Sequence, residues 1–344
     1  MTSFAIGVDL GGTNLRVAAV DMNGKVLEKI TTGTEVTRGR DRVIDEMCAS
    51  IKGLAVKHQS SRQLAGIGVG VPGIIDMEHG TVRESPNVPG WEDYPVREEI
   101  ERRLATTVVL ENDANCAALG EKWLGAAAMV DDMCMLTLGT GVGGGLVLGG
   151  RVWHGMTGMA AEIGHINVDP EGKACNCGSR GCLEQYASAT AVKQMALDAI
   201  STGKAPELAR AMNADPEFSA KAVHQMALQG DTPAVEIFRR VGVALGIALA
   251  DLINIFNLPM YVIGGGVASA WDAFQPAMLE TAGRYSYIYR VTCLPRPASK
   301  DKTREPGNTE KRTIITRALL GGDAGLIGAA RLPMIAVAHS EARH

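Results

Sequence analysis

Residues 133–150 read MCMLTLGTGVGGGLVLGG, and they indicate the fold of the whole chain. Two apolar runs, each typical of a buried β-strand, flank the turn Gly139-Thr140-Gly141. Seven glycines lie between residues 139 and 150, so the backbone can turn tightly and approach a ligand closely. The stretch therefore predicts a strand, a glycine–threonine turn, a second strand and a second glycine turn.

Residues 4–31 have the same layout. An apolar strand runs into Asp9-Leu10-Gly11-Gly12-Thr13, a second strand follows, and Asn23-Gly24 is a hairpin signal before a third strand. A Rossmann unit would open a helix at its glycines, whereas here a strand follows them. Two such turns predict duplicated halves that hold a nucleotide in a cleft, because glycine turns present backbone N–H groups to phosphate. The alternative is a pair of unrelated hairpins.

Apolar spacing places the other elements. A helix over 231–257 is expected to break at Gly242 and Gly246, and the last helix begins at residue 323, with a loose tail after about residue 333. The remaining expectations are helices over 42–57, 96–104 and 114–124, strands over 64–71, 107–110, 260–263 and 313–317, and loops over 76–95 and 296–312.

The composition bounds the class of protein. The chain has 344 residues, which suffices for two domains, and 46% are hydrophobic and 21% charged. The net charge of −4 and the lack of a basic block argue against a nucleic-acid partner. No apolar run reaches the roughly 18 residues of a membrane span, and the N-terminus does not look like a signal peptide. We therefore expect a cytoplasmic protein.

Residues 162–184, EIGHINVDPEGKACNCGSRGCLE, contain a candidate metal site. Three thiolates and one imidazole form a closed tetrahedral zinc set, and this set would consist of His165, Cys175, Cys177 and Cys182. The Cys-x-Cys spacing is tighter than that of a common zinc ribbon. The alternatives are a nucleic-acid zinc module, for which only Lys173 and Arg180 supply positive charge, and a chance redox cluster.

A carboxylate, Asp113, stands between a predicted strand and a predicted helix. The carboxyl ends of strands are where α/β sheets bind ligands, so Asp113 is a candidate functional residue. The alternative is a helix cap. Asn87 lies in the predicted polar loop, and taken alone it is typical of a turn.

The motifs DLGGT, END, LGTG, EIGH and CxCGxxGCxE occur in this order over nearly all of residues 4–332. In this the chain resembles the ROK family (repressor, open reading frame, kinase) of the actin–hexokinase–Hsp70 superfamily, and most of all its ATP-dependent glucokinases. The resemblance implies a homodimer of chains with two duplicated α/β domains around a nucleotide and sugar cleft. The small domain would comprise residues 1–116 with the C-terminal helix at about 323–334. The large domain would comprise 117–322, with the zinc loop.

The resemblance also implies the reaction, the cofactors and the roles of individual residues. ATP with Mg²⁺ would phosphorylate the 6-hydroxyl of a hexose, preferably glucose, with Asp113 as the catalytic base. The zinc would be structural. Sugar contacts would come from Gly73, Asn87, Asn112, Asp113, Glu162, His165 and Glu184. ATP and Mg²⁺ contacts would come from Asp9, Gly11, Gly12, Thr13, Thr140, Gly141, Gly265 and Gly266.

Other functions share parts of this pattern. Kinases of N-acetylmannosamine, N-acetylglucosamine, fructose and allose in the same family carry these motifs. A sugar-responsive repressor of the family would carry a DNA-binding domain before the first strand, where this sequence has only residues 1–3. An Hsp70-like ATPase would have no use for the metal loop. We therefore expect a sugar kinase.

Overall fold

The computed structural model of the protein describes residues 2–34, 36–85, 88–293 and 312–341. Strands and helices alternate along most of the chain. The strands are β1 (Ser3–Leu10), β2 (Asn14–Asp21), β3 (Val26–Gly33), β4 (Gln63–Val71), β5 (Ile74–Asp76), β6 (Thr81–Glu84), β7 (Val109–Asn112), β8 (Met133–Leu138), β9 (Val142–Leu148), β10 (Arg151–Val152), β11 (Met260–Gly264) and β12 (Ile314–Arg317). The α-helices are α1 (Arg40–Gln59), α2 (Val96–Leu104), α3 (Asp113–Leu124), α4 (Glu184–Ala187), α5 (Ala189–Ser201), α6 (Pro206–Ala214), α7 (Ala220–Leu228), α8 (Thr232–Phe256), α9 (Trp271–Tyr285), α10 (Tyr287–Thr292) and α11 (Ala324–Glu341).

Two five-stranded sheets have the same strand order. The first runs β3-β2-β1-β4-β7 and the second runs β10-β9-β8-β11-β12. In each sheet a run of three consecutive strands forms one side, and two later strands extend it on the other. The predicted α/β fold is confirmed, and the shared order is what a duplication produces.

The register of the first sheet gathers the predicted site residues of the N-terminal half at one edge. β1 and β2 form an antiparallel hairpin that ends at Leu10 opposite Leu15, whereas β4 lies parallel to β1 and β7 parallel to β4. The pairs Asp9–Gly70 and Gly70–Glu111 therefore place the carboxyl ends of three parallel strands side by side. This edge is the ligand-binding edge of α/β sheets.

Helices cover both faces of this sheet. Side chains on one face of β1 join those of α1 in a buried apolar cluster that includes Ile6 and Met47. On the opposite face the backbone of α11 lies against the sheet, and a Cβ atom at Gly7 or Gly68 would overlap a carbonyl oxygen of α11. Glycine in these strands is therefore needed for the C-terminal helix to pack at backbone distance.

The chain divides into two compact units by its internal contacts. Unit 1 comprises the described parts of residues 1–135, 144–161 and 318–344, and unit 2 comprises those of 136–143 and 162–317. The predicted domain boundaries stay a prediction. None of the helices in the described part of the chain has the length and apolar character of a membrane span.

The long helix α8 differs from the prediction, because it continues through Gly242 and Gly246. A Cβ at Gly242 would overlap the carbonyl oxygen of Phe274, and one at Gly246 would lie 2.6 Å from that of Met278. Both glycines therefore let α9 approach α8 closely, and this packing outweighs their low helix propensity.

Two further predictions were wrong. The loop predicted over residues 76–95 contains parts of the small antiparallel sheet of β5 and β6, and Trp91 is buried beside it. The predicted tail after residue 333 is helical through Glu341, since α11 continues past Pro333. The charged loop predicted over 296–312 lies outside the described residues, except for Arg312.

The packing of α8 on α9 can be tested by replacing Gly242 with Ala. The added methyl group meets backbone atoms of α9 that cannot move independently, so we expect the free energy of unfolding to fall by about 1–3 kcal/mol. Gly283→Ala on α9 is the matched control, because among the described residues no atom outside the local backbone of α9 and its chain neighbours lies within 4 Å of its Cβ position. That variant should be stabilised by about 0.5–1 kcal/mol. Equal effects of both substitutions in urea unfolding would contradict this account.

Candidate functional site

The first glycine turn, between β1 and β2, is fixed by neighbouring backbone. The N–H of Gly11 donates to the carbonyl of Asn14 at 2.8 Å, and the hydroxyl of Thr34 donates to the carbonyl of Gly11 at 2.8 Å. Gly12 is half-buried and Thr13 is exposed. The turn therefore presents a fixed backbone at the surface of unit 1.

Asp9 precedes this turn at the end of β1. Burial raises the pKa of its carboxyl group, and the guanidinium of Arg16, whose Nη1 lies 3.3 Å from Asp9 Oδ2, opposes that rise. Arg16 also donates to the carbonyl of Gly322, and so it ties the hairpin to the start of α11. A partly buried carboxylate next to a glycine turn can serve a metal–phosphate complex.

Asn112 and Asp113 form the junction between β7 and α3. Asn112 is the N-cap, since its Oδ1 accepts from the N–H groups of Ala114 at 2.9 Å and Asn115 at 3.2 Å. Asp113 is the first residue of the helix and accepts from the N–H of Ala114 at 2.9 Å. The capping position therefore belongs to Asn112, and Asp113 stands beside it at the positive end of the helix dipole.

Gly73 is held against this junction. The Asn112 side-chain amide donates to its carbonyl at 3.2 Å. Gly73 has a φ of +109°, and a Cβ there would overlap the carbonyl oxygen of Glu84. The structure thus brings together the predicted sugar contacts Gly73, Asn112 and Asp113 within unit 1. Asn87 lies outside the described residues.

A buried carboxylate, Glu111, lies under the junction, and the sequence assigned it no role. Its Oε1 accepts from the N–H of Asn112 at 2.9 Å and from the side chain of Asn115 at 3.0 Å. Its Oε2 lies 2.7 Å from Nε2 of His154, and this hydrogen bond raises the pKa of His154. The sequence signal that could have identified Glu111 is its position, because a charged residue directly follows the apolar residues of the strand. His154 gave no signal, because it is 43 residues away.

The second glycine turn, between β8 and β9, is held by the segment that begins α4 and α5. The N–H of Val142 donates to Oε2 of Glu184 at 3.0 Å. The carbonyl of Thr140 accepts from the hydroxyl of Thr190 at 2.8 Å. A Cβ at Gly141 would overlap Oε2 of Glu184. Glu184 therefore packs directly on the turn.

Gly265 and Gly266 lie in the same unit as this turn. Gly265 has a φ of +85°, and its Cβ position would be 2.5 Å from the N and O atoms of Leu138, the last residue of β8. Around the Cβ position of Gly266, the described residues other than its neighbours in the chain and in its own helix place no atom within 4 Å. The structure thus places the predicted nucleoside contacts beside the start of the turn with Thr140 and Gly141.

Glu162, His165 and Glu184 are near one another in unit 2. Although much of Glu162 is exposed, partial burial of its carboxyl group raises its pKa; the charge of His165 opposes that rise and the charge of Glu184 adds to it. Glu162 is the N-cap residue of a short 3-10 helix, Ile163–His165. A Cβ at Gly164 would overlap the carbonyl oxygen of Val142. This helix therefore also packs against the end of the turn.

The four predicted metal ligands form one cluster. One ligand atom from each of His165, Cys175, Cys177 and Cys182 lies within 4.8 Å of all the others. Nδ1 of His165 is 3.8 Å from Sγ of Cys175, and the sulfurs of Cys177 and Cys182 are 3.7 Å apart. Zinc–sulfur bonds of about 2.3 Å in a tetrahedron separate two sulfurs by roughly 3.8 Å, so the cluster fits zinc.

The glycines of the metal loop explain its spacing. Gly178 and Gly181 have φ values of +88° and +64°, and a Cβ at Gly181 would overlap the carbonyl oxygen of Asp169. The loop can therefore turn back within seven residues and return Cys182 to the cluster. Burial raises the pKa of the Cys182 thiol to about 12, so a bound cation must displace its proton.

Comparison with known proteins gives consistent results. Residues 5–334 match the ROK family. The chain is 42% identical to a glucokinase of Thermotoga maritima, over 84% of this chain and 92% of that protein. It is 38% identical to a glucokinase of Halalkalibacterium halodurans, over 94% of this chain and 92% of that protein.

A solved structure is also similar. The ROK family glucokinase of Streptomyces griseus, in complex with glucose and AMPPNP, superimposes with a TM-score of 0.77 at 33% identity. The match covers 96% of this chain and 99% of that one. The similarity therefore extends along nearly the whole of both chains.

The contact between Glu111 and His154 predicts a pH dependence of stability. The pKa of His154 is raised in the folded protein, so its contribution to stability is fully present below its usual pKa of about 6.5. That contribution is lost as the pH rises through the raised value. The deficit of His154→Gln in unfolding free energy should therefore be larger at about pH 6 than at about pH 9.

Urea unfolding of His154→Gln and the parent protein over this pH range measures the deficit. In a Glu111→Gln background the substitution should lose its pH dependence, because the carboxylate that raises the pKa is gone. A deficit that grows with pH would show that the sign is wrong.

Proposed function

The chain belongs to the ROK family, and from this membership we propose that it transfers the terminal phosphoryl group of ATP to the 6-hydroxyl of a hexose, with glucose as the preferred sugar. The observation that carries the proposal is the similarity to glucokinases along most of both sequences. The clustering of the predicted sugar contacts within each unit supports it.

We assign Asp113 the role of catalytic base. Phosphoryl transfer depends on positioning and on charge stabilisation more than on basicity. The helix dipole of α3 stabilises the Asp113 carboxylate as an anion, and this makes it a weak base that can still orient a hydroxyl for in-line attack. As the phosphoryl group arrives, Asp113 accepts the proton of the sugar hydroxyl.

The two glycine turns are proposed to bind the nucleotide. The turns at Gly11, Gly12 and Thr13, and at Thr140 and Gly141, would line the phosphates. In the first turn the N–H groups of Gly12 and Thr13 suit phosphate oxygens, because that of Gly11 already donates to the carbonyl of Asn14. Gly265 and Gly266 would accept the nucleoside, because neither carries a side chain. Asp9 would hold Mg²⁺, an ion that needs only one or two carboxylates besides phosphate oxygens and water. Mg²⁺ supplies charge neutralisation on the transferred group.

The sugar hydroxyls are proposed to contact Gly73, Asn87, Asn112, Glu162, His165 and Glu184. Since Nδ1 of His165 faces Cys175, its other ring nitrogen is available to a hydroxyl group. Glu162 and Glu184 add carboxylate acceptors from the same unit. A homodimer remains a proposal from the family resemblance, and light scattering tests it.

We propose that the metal cluster holds a structural zinc ion. Three thiolates and one imidazole would complete a tetrahedral shell and would leave no position for a water nucleophile. The zinc would fix His165, and through Cys182 it would fix the start of α4. It would act on the sugar only by holding these residues.

The zinc proposal predicts the metal content and its consequences. We expect about one zinc per chain by elemental analysis, and its loss in Cys177→Ser. The sugar KM should then rise and the Tm should fall, because a zinc shell contributes directly to folding. Cys293→Ser is the control, since Cys293 lies outside the cluster. Zinc-free protein with the parental KM and Tm would refute the structural role.

Replacing Asp113 with Asn tests the assignment of the base. The amide has nearly the same shape but cannot accept the hydroxyl proton, so we expect kcat to fall by about 10²–10⁴-fold while the Tm changes little. Asp131→Asn makes the same charge change at an exposed position and should keep the parental kcat. Glucose-dependent ADP formation that survives in Asp113→Asn would reject this role for Asp113.

A panel of hexoses with coupled ADP detection tests the substrate. We expect the highest kcat/KM with glucose and lower values with fructose, allose, N-acetylmannosamine and N-acetylglucosamine. A higher kcat/KM for N-acetylmannosamine than for glucose would replace the proposed specificity and leave the kinase assignment intact.

A further inference from the structure

Glu184 contacts one part of the proposed site and is assigned to another. Its Oε2 accepts a hydrogen bond from the N–H of Val142 at 3.0 Å, directly after the glycine turn that is proposed to line the phosphates. The same carboxylate is proposed to bind a sugar hydroxyl. One side chain therefore joins the nucleotide contacts to the sugar contacts within unit 2.

The turn is built to receive this carboxylate. A Cβ at Gly141 would overlap Oε2 of Glu184. Apart from the two neighbours of Gly141 in the chain, no other described residue lies within 4 Å of that position. Gly139 belongs to the same turn, but the nearest atom to its Cβ position is the carbonyl oxygen of Gly141 at 4.0 Å. The contact with Glu184 is thus specific to one of the two glycines.

The predicted metal loop leads directly into the helix that carries Glu184. Glu184 follows the buried ligand Cys182 by two residues and is the first residue of α4. Two residues after the end of α4, the N–H of Ala189 donates to the carbonyl of Gly139 at 2.8 Å. The segment from Glu184 to Ala189 therefore contacts both ends of the turn, at Val142 and at Gly139. A shift of the carboxylate would therefore break its hydrogen bond to the end of the turn.

We infer that Glu184 couples the two substrates: its Oε2 orients the phosphate turn while its other oxygen holds the sugar hydroxyl. This inference rests on the proposed function. A disturbance of the turn should therefore weaken sugar binding when no nucleotide is present. Because Oε2 of Glu184 holds the N–H at the end of the turn, loss of Glu184 should also weaken nucleotide binding when no sugar is present.

The first experiment is glucose titration by calorimetry, without nucleotide, of the parent protein, Gly141→Ala and Gly139→Ala. The new methyl group in Gly141→Ala meets the end of the flexible Glu184 side chain and no backbone atom of it, so we expect the fold to survive and the carboxylate to move away from Val142. We expect the glucose Kd to rise about tenfold or more, as loss of a hydrogen bond to a charged group requires. Gly139→Ala should stay within about twofold of the parent.

The second experiment measures nucleotide binding in place of sugar binding, and it compares Glu184→Ala with Glu162→Ala. Both substitutions remove a proposed sugar contact. Of the two carboxylates, Glu184 is the one that accepts the N–H of Val142 at the end of the turn. Titration with Mg²⁺ and AMPPNP in the absence of sugar should show weaker binding for Glu184→Ala by about fivefold or more, and parental binding for Glu162→Ala. Thermal unfolding and zinc content confirm that each variant is folded.

Parental glucose binding by folded Gly141→Ala overturns the coupling, and so does an equal loss in Gly139→Ala. If Gly141→Ala does not fold, equal nucleotide affinities of Glu184→Ala and Glu162→Ala overturn it. A parent protein that phosphorylates hexoses normally keeps the proposed function in each of these cases. A parent protein that neither binds nor phosphorylates a hexose overturns both.

Discussion

The backbone of Val142 is the point at which unit 2 joins its metal loop to its glycine turn. The N–H of Val142 donates to Glu184, and Gly164 packs against its carbonyl. A buried backbone N–H without a partner costs about 1–3 kcal/mol, so this contact constrains both segments. The four predicted metal ligands lie between Gly164 and Glu184 in the sequence. Their clustered side chains therefore bring together the loop whose two ends contact the backbone of Val142.

In unit 1 a glutamate side chain also accepts a backbone N–H beside the predicted site. Glu111 accepts the N–H of Asn112 and thereby holds the junction that carries Asp113. Farther along α3, the side chain of the fully buried Glu121 accepts hydrogen bonds from the N–H groups of Leu319 and Leu320. These bonds join the segment before α11 to α3. Hydrogen bonds from backbone N–H groups to a carboxylate are stronger than those to a neutral acceptor. Carboxylates thus anchor the backbone where strands end and helices begin.

Much of this structure could be predicted from local patterns in the sequence. The spacing of apolar residues gave the helix at 96–104 its observed bounds, and the Cys and His spacing located all four cluster residues. Long-range partners left no local trace. Gly242 and Gly246 were predicted to break the helix, but the sequence does not show that α9 packs on them. The sequence likewise does not show that the fold places His154 next to Glu111. The contact of Glu184 with Val142 spans 42 residues and was equally hidden.

The central claim is that this chain phosphorylates the 6-hydroxyl of glucose with ATP. Nuclear magnetic resonance of the product formed from carbon-13-labelled glucose and ATP measures it directly, because coupling to phosphorus identifies the esterified carbon. The account predicts phosphorus coupled to carbon 6 and an equal amount of ADP. Phosphorus on another carbon, or ADP formed without any sugar phosphate, would contradict it.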